Sequence, residues 1–222
     1  MHIHRARVVS IAVVFVSGVV LAVLGPLMGK FDNPVCHVAA LVFSSGWAWA
    51  CFAFLVGFSC RSKAVSALLA SLALAVAVVV YYVFKYVFPT SPVGQVVSGG
   101  SGGELGSRIL VWGTAAFVLG APVGLFGNIA RTPGIGGLPF RLVIPVTVLV
   151  ETSARLQTEA ASQGPVVEIT WEVIRIAAGV AFGVLLLREV MAWRAGAARR
   201  EGDPRPDLPA PVRRPVGHDA DS

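Results

Sequence analysis

Residues 166–187 read VVEITWEVIRIAAGVAFGVLLL. At a rise of ~1.5 Å per residue this stretch is about 33 Å long, enough to cross a ~30 Å hydrocarbon core. Yet it carries Glu168, Glu172 and Arg175. Ionisable groups inside a membrane helix are costly, and they usually pair, line a wet cavity or act in function. The stretch therefore implies a membrane fold and an internal polar site.

The rest of the chain has the same character. Of its 222 residues, 55% are apolar and 14% are charged. A soluble domain of this size carries about a quarter charged residues. The apolar residues also fall in long blocks and not in 3.6-residue stripes, which excludes a soluble helical bundle. The expected fold class is all-α: a polytopic membrane helical bundle of six transmembrane helices. The spans lie at residues 8–28, 44–60, 64–87, 109–129, 138–158 and 166–187, within a transmembrane domain covering residues 1–194. The first block is read as an uncleaved helix, because it is longer than a signal-peptide core and no A-x-A site follows. Ser44-Ser45-Gly46 divides the second block, so residues 35–43 form a short interfacial or re-entrant piece. Gly120-Ala121-Pro122 and Pro145 are expected to interrupt the fourth and fifth spans. Residues 95–107 read as a flexible loop, and 195–222 as a disordered cytoplasmic tail.

The net charge of +6 does not imply nucleic acid. With six spans, 13 of the 18 basic residues fall on one side: Arg5, Arg7, Arg61, Lys63, Arg131, Arg141 and seven arginines from Arg188 onward. Lys30 and Arg108 lie opposite. This asymmetry predicts a multi-pass cell-membrane protein with both termini cytoplasmic. Cys36, Cys51 and Cys60 show no CxxC or metal-ligand spacing and read as small hydrophobes. Before residue 203 the only aspartate is Asp32. Aspartate-rich motifs for magnesium and diphosphate are thus excluded, and no cofactor or metal is expected. Nucleotide-binding, zinc-protease and serine-hydrolase motifs are missing as well.

The buried charges suggest the site. Glu151 lies ten residues past Arg141, hence ~15 Å along its helix, with Arg155 at i+4. Glu168, Glu172 and Arg175 share a face of the last span. All five are expected at one depth, with one acid in surplus before Lys85, which can join them, is counted. Gly179 and Gly183 continue the charged face as a small-xxx-small pair. That face is expected to turn toward protein, either within the bundle or on a membrane partner. Trp47, Trp49, Tyr81, Tyr82 and Trp171 are candidate wall residues, with Arg155 and Arg175 as candidate binding groups. Glu151, Glu168 and Glu172 are candidate proton donors.

The stretches GPLMGKFDNP, SSGWAWACFAFLVGF, YYVFKY and FVLGAPVGLFGN resemble a family of small integral membrane proteins from high-GC bacteria. The resemblance covers residues 8–190 and implies a compact six-helix membrane domain. In size and pocket chemistry alone, the chain is also similar to membrane-embedded terpene cyclases. That likeness implies metal-independent, proton-initiated cyclisation of an isoprenoid-type substrate, with a carboxylic acid as donor and aromatic faces to stabilise cations. A small-solute transporter or substrate-binding membrane subunit is the alternative. A structural partner of another membrane protein is the third reading. The expected partners are the bilayer and a lipophilic small molecule.

Overall fold

In a computed structural model of the chain, residues 2–89, 102–158 and 164–201 are described. They form seven helices and no strand: α1 (His2–Met28), α2 (Pro34–Phe43), α3 (Gly46–Ser59), α4 (Lys63–Val87), α5 (Gly102–Ile129), α6 (Leu138–Thr158) and α7 (Pro165–Glu201). Val9–Met28 of α1, α4 and Gly103–Ile129 of α5 are each long and apolar enough to cross a membrane. The pair α2–α3 reaches that standard together and is bent by 58° at its break.

The break falls where the sequence places it, at Ser44 and Ser45. Asn33 starts α2 by accepting a hydrogen bond from Val35 N at 2.8 Å, and Pro34 occupies the first turn, where a missing N–H costs nothing. The expected interruptions at Pro122 and Pro145 do not occur, since α5 and α6 run continuously through both prolines. α5 also begins earlier than expected. Glu104 in its first turn suits the helix dipole and pairs with Arg108 at 2.6 Å, so residues 102–107 are helical and not loop. α7 continues past residue 194 to Glu201, through the alanine- and arginine-rich AGAARRE, a good helix-forming run. The other loop and tail expectations, at residues 95–101 and 202–222, lie outside the described residues.

α4 packs along α5, with α3 against both. α1 covers α4 and α2, and α6 pairs with α7. The core is built of small residues: Ala53, Val56, Ala70 and Leu74, with Val14, Phe52 and Val123 packed around them. Small side chains let backbones approach closely, which drives helix association where the surroundings are as apolar as the interface. A methyl group on Gly57 would overlap the carbonyl oxygen of Gly124, and one on Gly127 would overlap that of Phe54. At Gly120 it would lie 2.8 Å from Ser71 Cα. Ser66 Oγ donates to Gly124 O at 2.9 Å within this contact. The stripe that closes the bundle is therefore Gly120-Gly124-Gly127, facing Gly57, Ser66 and Ser71.

Gly179 and Gly183 have open space where a side chain would stand. The expectation that their face turns into the bundle is corrected: α7 buries Val167, Thr170, Trp171 and Ala178 instead. Gly57→Ala and Gly127→Ala should each abolish or strongly reduce folded protein, because the clash is with backbone. Gly179→Ala should leave yield and melting temperature in detergent unchanged. Size-exclusion profiles and thermal melts of the three purified variants check this.

Candidate functional site

The site begins with an unmet requirement at the start of α3. The first amides of any helix lack intrahelical acceptors. Ser45 stands at the N-cap position, but its hydroxyl donates to Val42 O at 2.6 Å, backward onto α2, and makes no cap bond to α3. Trp49 also serves α2, donating its indole N–H to Phe43 O at 3.1 Å. The α3 amides are met from 105 residues away in sequence. Glu151 on α6 accepts from Gly46 N through Oε1 at 3.0 Å and from Trp47 N through Oε2 at 2.7 Å. A carboxylate at a helix N-terminus also suits the positive end of the dipole. A side chain at position 46 would stand 3.0 Å from this carboxylate, so glycine keeps the approach open.

Arg155, one turn further along α6, donates through Nε to the same Oε1 at 2.9 Å and forms a salt bridge to it. Its guanidinium lies 5.0 Å from the ring centroid of Trp171, which is fully buried on α7. The result is a chain of contacts from α7 through α6 to α3: Trp171, Arg155, Glu151, then the first amides of α3. Each partner holds the next in place.

The far end of α3 is tied as well. Asn128 Nδ2 and Arg131 Nη1 both donate to Cys60 O, the latter at 2.9 Å. Beside them Arg141 donates to Ala130 O and Thr132 O, both at 2.8 Å, and pairs with Glu189 of α7. The ends of α3 and α5 and the start of α6 thus meet Glu189, within α7, in one polar cluster. The three cysteines are free and half-buried.

Between these two networks lies a cavity of about 540 Å³. Its walls come from α3, α4, α5 and α6. Trp49, Tyr81, Tyr82 and Trp112 give it an aromatic side, and Ala50, Ala53, Ala115 and Ala116 leave the room. Trp49 stands edge-on to Tyr81, with centroids 5.7 Å apart, and Tyr81 is edge-on to Tyr82 at 5.2 Å. Glu151, Arg155 and Ser44 form a polar end. Trp112 and Leu119 line the cavity while being exposed, so it opens beside α5. A second hollow of about 490 Å³, between α4 and α5, has Val76, Val79, Leu110 and Phe117 in its wall and no charged group. It is an apolar surface groove.

The structure brings together Trp49, Tyr81, Tyr82, Glu151 and Arg155 of the expected site. The single five-charge cluster does not form. Glu172 pairs with Arg175 on its own helix at 2.7 Å, and both side chains are about two-fifths exposed (43% and 41%). Glu168 is exposed. Lys85 lies 5.4 Å over the Tyr81 ring and is exposed, away from the acids. Trp47 contributes its backbone amide, not a wall, and Trp171 lies behind Arg155; the indole N–H of each is buried without a partner among the described residues. Trp112, Leu119 and the wall alanines were not expected as lining residues. The aromatic at the start of the fourth span was visible in the sequence, but the alanines carry no signal of their own.

No family model, curated protein or solved structure matches the chain.

Replacing Glu151 by Gln removes one of the two oxygens that face Gly46 N and Trp47 N. The expected loss is about 0.5–1.5 kcal/mol, the net worth of one hydrogen bond at a partly exposed site. Arg155→Met should also destabilise, and the double variant should lose less than the two single losses added, because the residues share one network. Glu168→Gln should be close to neutral. Unfolding curves in mixed detergent for the four variants measure this; equal losses at Glu168 and Glu151 would refute the cap.

Proposed function

We propose that the chain is a multi-pass membrane protein that binds a lipophilic small molecule in the cavity between α3, α4, α5 and α6. One observation carries this reading: a cavity of about 540 Å³, walled by aromatic and small apolar side chains, with a single polar end. That volume falls in the ~300–1,000 Å³ range of small-molecule sites, and its mainly apolar wall with few polar groups is the usual composition. The opening beside Trp112 and Leu119 favours a ligand that arrives from the hydrocarbon. The only ring contact between α5 and α6 among the described residues is Phe126–Phe140, at 5.5 Å, near the basic-flanked end. Trp112 on α5 and Arg155 on α6 each lie roughly 21–23 Å from that contact along their helices. The two helices are thus pinned at one end and spaced by the cavity at the other.

A binding or carrier role fits the polar end better than the cyclisation reading does. A carboxylic acid donor must have an O–H to give. Both oxygens of Glu151 accept from N–H donors, Oε1 from Gly46 N and Arg155 Nε and Oε2 from Trp47 N, so this carboxyl group is engaged as an acceptor in the cap of α3. Glu168 and Glu172 are outside the cavity wall. The aromatic array would suit a cation, but the one carboxyl group in the lining, Glu151, is taken up by the cap of α3 and by Arg155.

The same reading includes six spans, α2 and α3 forming one of them, with both termini cytoplasmic. Its support is the gathering of Cys60, Asn128, Arg131, Arg141 and Glu189 at one end, next to the basic loops. α3 is about 21 Å long, so its break and Glu151 then lie within the hydrocarbon, nearer the outer face.

Mass spectrometry of extracts from gently purified protein should find one lipophile in near-stoichiometric amount. Ala116→Phe and Ala50→Phe, which fill the cavity, should lose it while melting close to the wild type. Retention by both filled variants would overturn the reading. In whole cells, a reporter fused after Arg200 should report cytoplasmic and one inserted at residues 98–103 external; an external C-terminus would remove the six-span arrangement.

A further inference from the structure

We infer that the ligand of this cavity has an uncharged, hydroxyl- or carbonyl-bearing head, and that the site rejects the same hydrocarbon chain carrying a phosphate or an amine. The inference rests on the proposed cavity-binding reading and adds the class of molecule bound.

The charge inventory of the wall leads to it. Glu151 and Arg155 are the two ionisable groups of opposite sign in the lining, and they are bound to each other at 2.9 Å. Their formal charges cancel. The carboxylate is fixed in place by the first amides of α3, and the guanidinium by the carboxylate and the face of Trp171. An anionic head at this end would lie against Glu151, and a cationic head against Arg155. Each is drawn by one member of the pair and repelled by the other, so the pair offers a charged head no net attraction, and displacing Glu151 would open the cap of α3. In an apolar enclosure such repulsion is strong, because little water screens it.

The charged groups around the site do not change this. Lys85, over the Tyr81 ring, is exposed and stands outside the wall, where solvent and salt weaken its field. Arg108 is already paired with Glu104. Glu172 and Arg175 pair with each other on α7.

The neutral polar groups point the other way. Tyr81 and Tyr82 line the cavity, and their hydroxyls make no hydrogen bond among the described residues. Each hydroxyl can donate and accept, so together they match an alcohol or carbonyl head. A site built to hydrogen-bond such a head discriminates well against analogues that cannot satisfy it.

The test uses three probes with one chain: geranylgeraniol, geranylgeranyl diphosphate and geranylgeranylamine. Each is titrated into full-length protein in lipid nanodiscs, and binding is followed by tryptophan fluorescence and by the shift in melting temperature. The alcohol should bind at least about tenfold more tightly than either charged probe. The advantage of the alcohol over each charged probe should vanish in Ala116→Phe. A diphosphate or amine that binds as tightly as the alcohol, within roughly threefold, overturns the inference. If none of the three binds while a native lipophile is still retained by the wild type and lost from the filled variants, the head-group inference fails and the cavity reading stands. If the filled variants retain that lipophile too, both fail.

Discussion

The start of α3 is the constraint on which the remaining structure turns. A helix must find acceptors for its first amides, which have none within the helix itself. Ser45, the local residue suited to the task, spends its hydroxyl on α2. Glu151 therefore has to come from α6, and its position fixes the distance between α6 and α3. Its counter-charge, Arg155, comes from one turn away. Arg155 in turn needs a surface to lie against, and Trp171 on α7 gives it one. One requirement at one helix end has thus placed two other helices.

The opposite end of α3 explains the shape of the cavity. There Gly57, Gly124 and Gly127 bring α3 and α5 to backbone contact, and Asn128 and Arg131 hold the terminal carbonyl of Cys60. Toward Gly46 the facing residues are Trp49, Tyr81 and Trp112, and close approach is impossible. The helices are drawn together at one end and wedged apart at the other. The alanines between them fill too little of the taper, so a cavity remains. Its location follows from the gradient in side-chain size along the same pair of helices.

Much of this was legible in the sequence. The apolar blocks marked three helices long and apolar enough to cross a membrane, in α1, α4 and α5, and Ser44-Ser45-Gly46 marked the break in the bent pair. The i,i+4 spacing of Glu151 and Arg155 marked their pairing, and Trp49, Tyr81 and Tyr82 were recognisable as wall residues. The orientation of α7 was not. In a soluble helix, polar residues mark the outside and apolar ones the core. A helix in hydrocarbon is apolar on both faces, so that signal is erased. Glu168, Glu172, Arg175, Gly179 and Gly183 looked like an inward face because charge and small residues often turn inward. Only the packing of Val167, Trp171 and Ala178 shows otherwise. The same loss of contrast hid the Gly120-Gly124-Gly127 stripe, where Pro122 read as a break. A proline inside a membrane helix is tolerated when neighbours and local adjustment re-satisfy the freed carbonyl, and α5 continues through it.

The cap and the cavity use the same two residues, and this sets what the site can do. Glu151 holds the break between α2 and α3 closed and also forms the polar end of the cavity. A ligand head placed there touches the groups that keep α3 in position. A ligand that leaves the Glu151–Arg155 pair intact adds its contacts to the folded state and stabilises it by mass action. One that displaces Glu151 must first uncover the two amides that begin α3, at the loss of hydrogen bonds worth about 0.5–1.5 kcal/mol each. On the proposed reading, discrimination against a cationic head that pulls on Glu151 then draws on the same hydrogen bonds that begin α3.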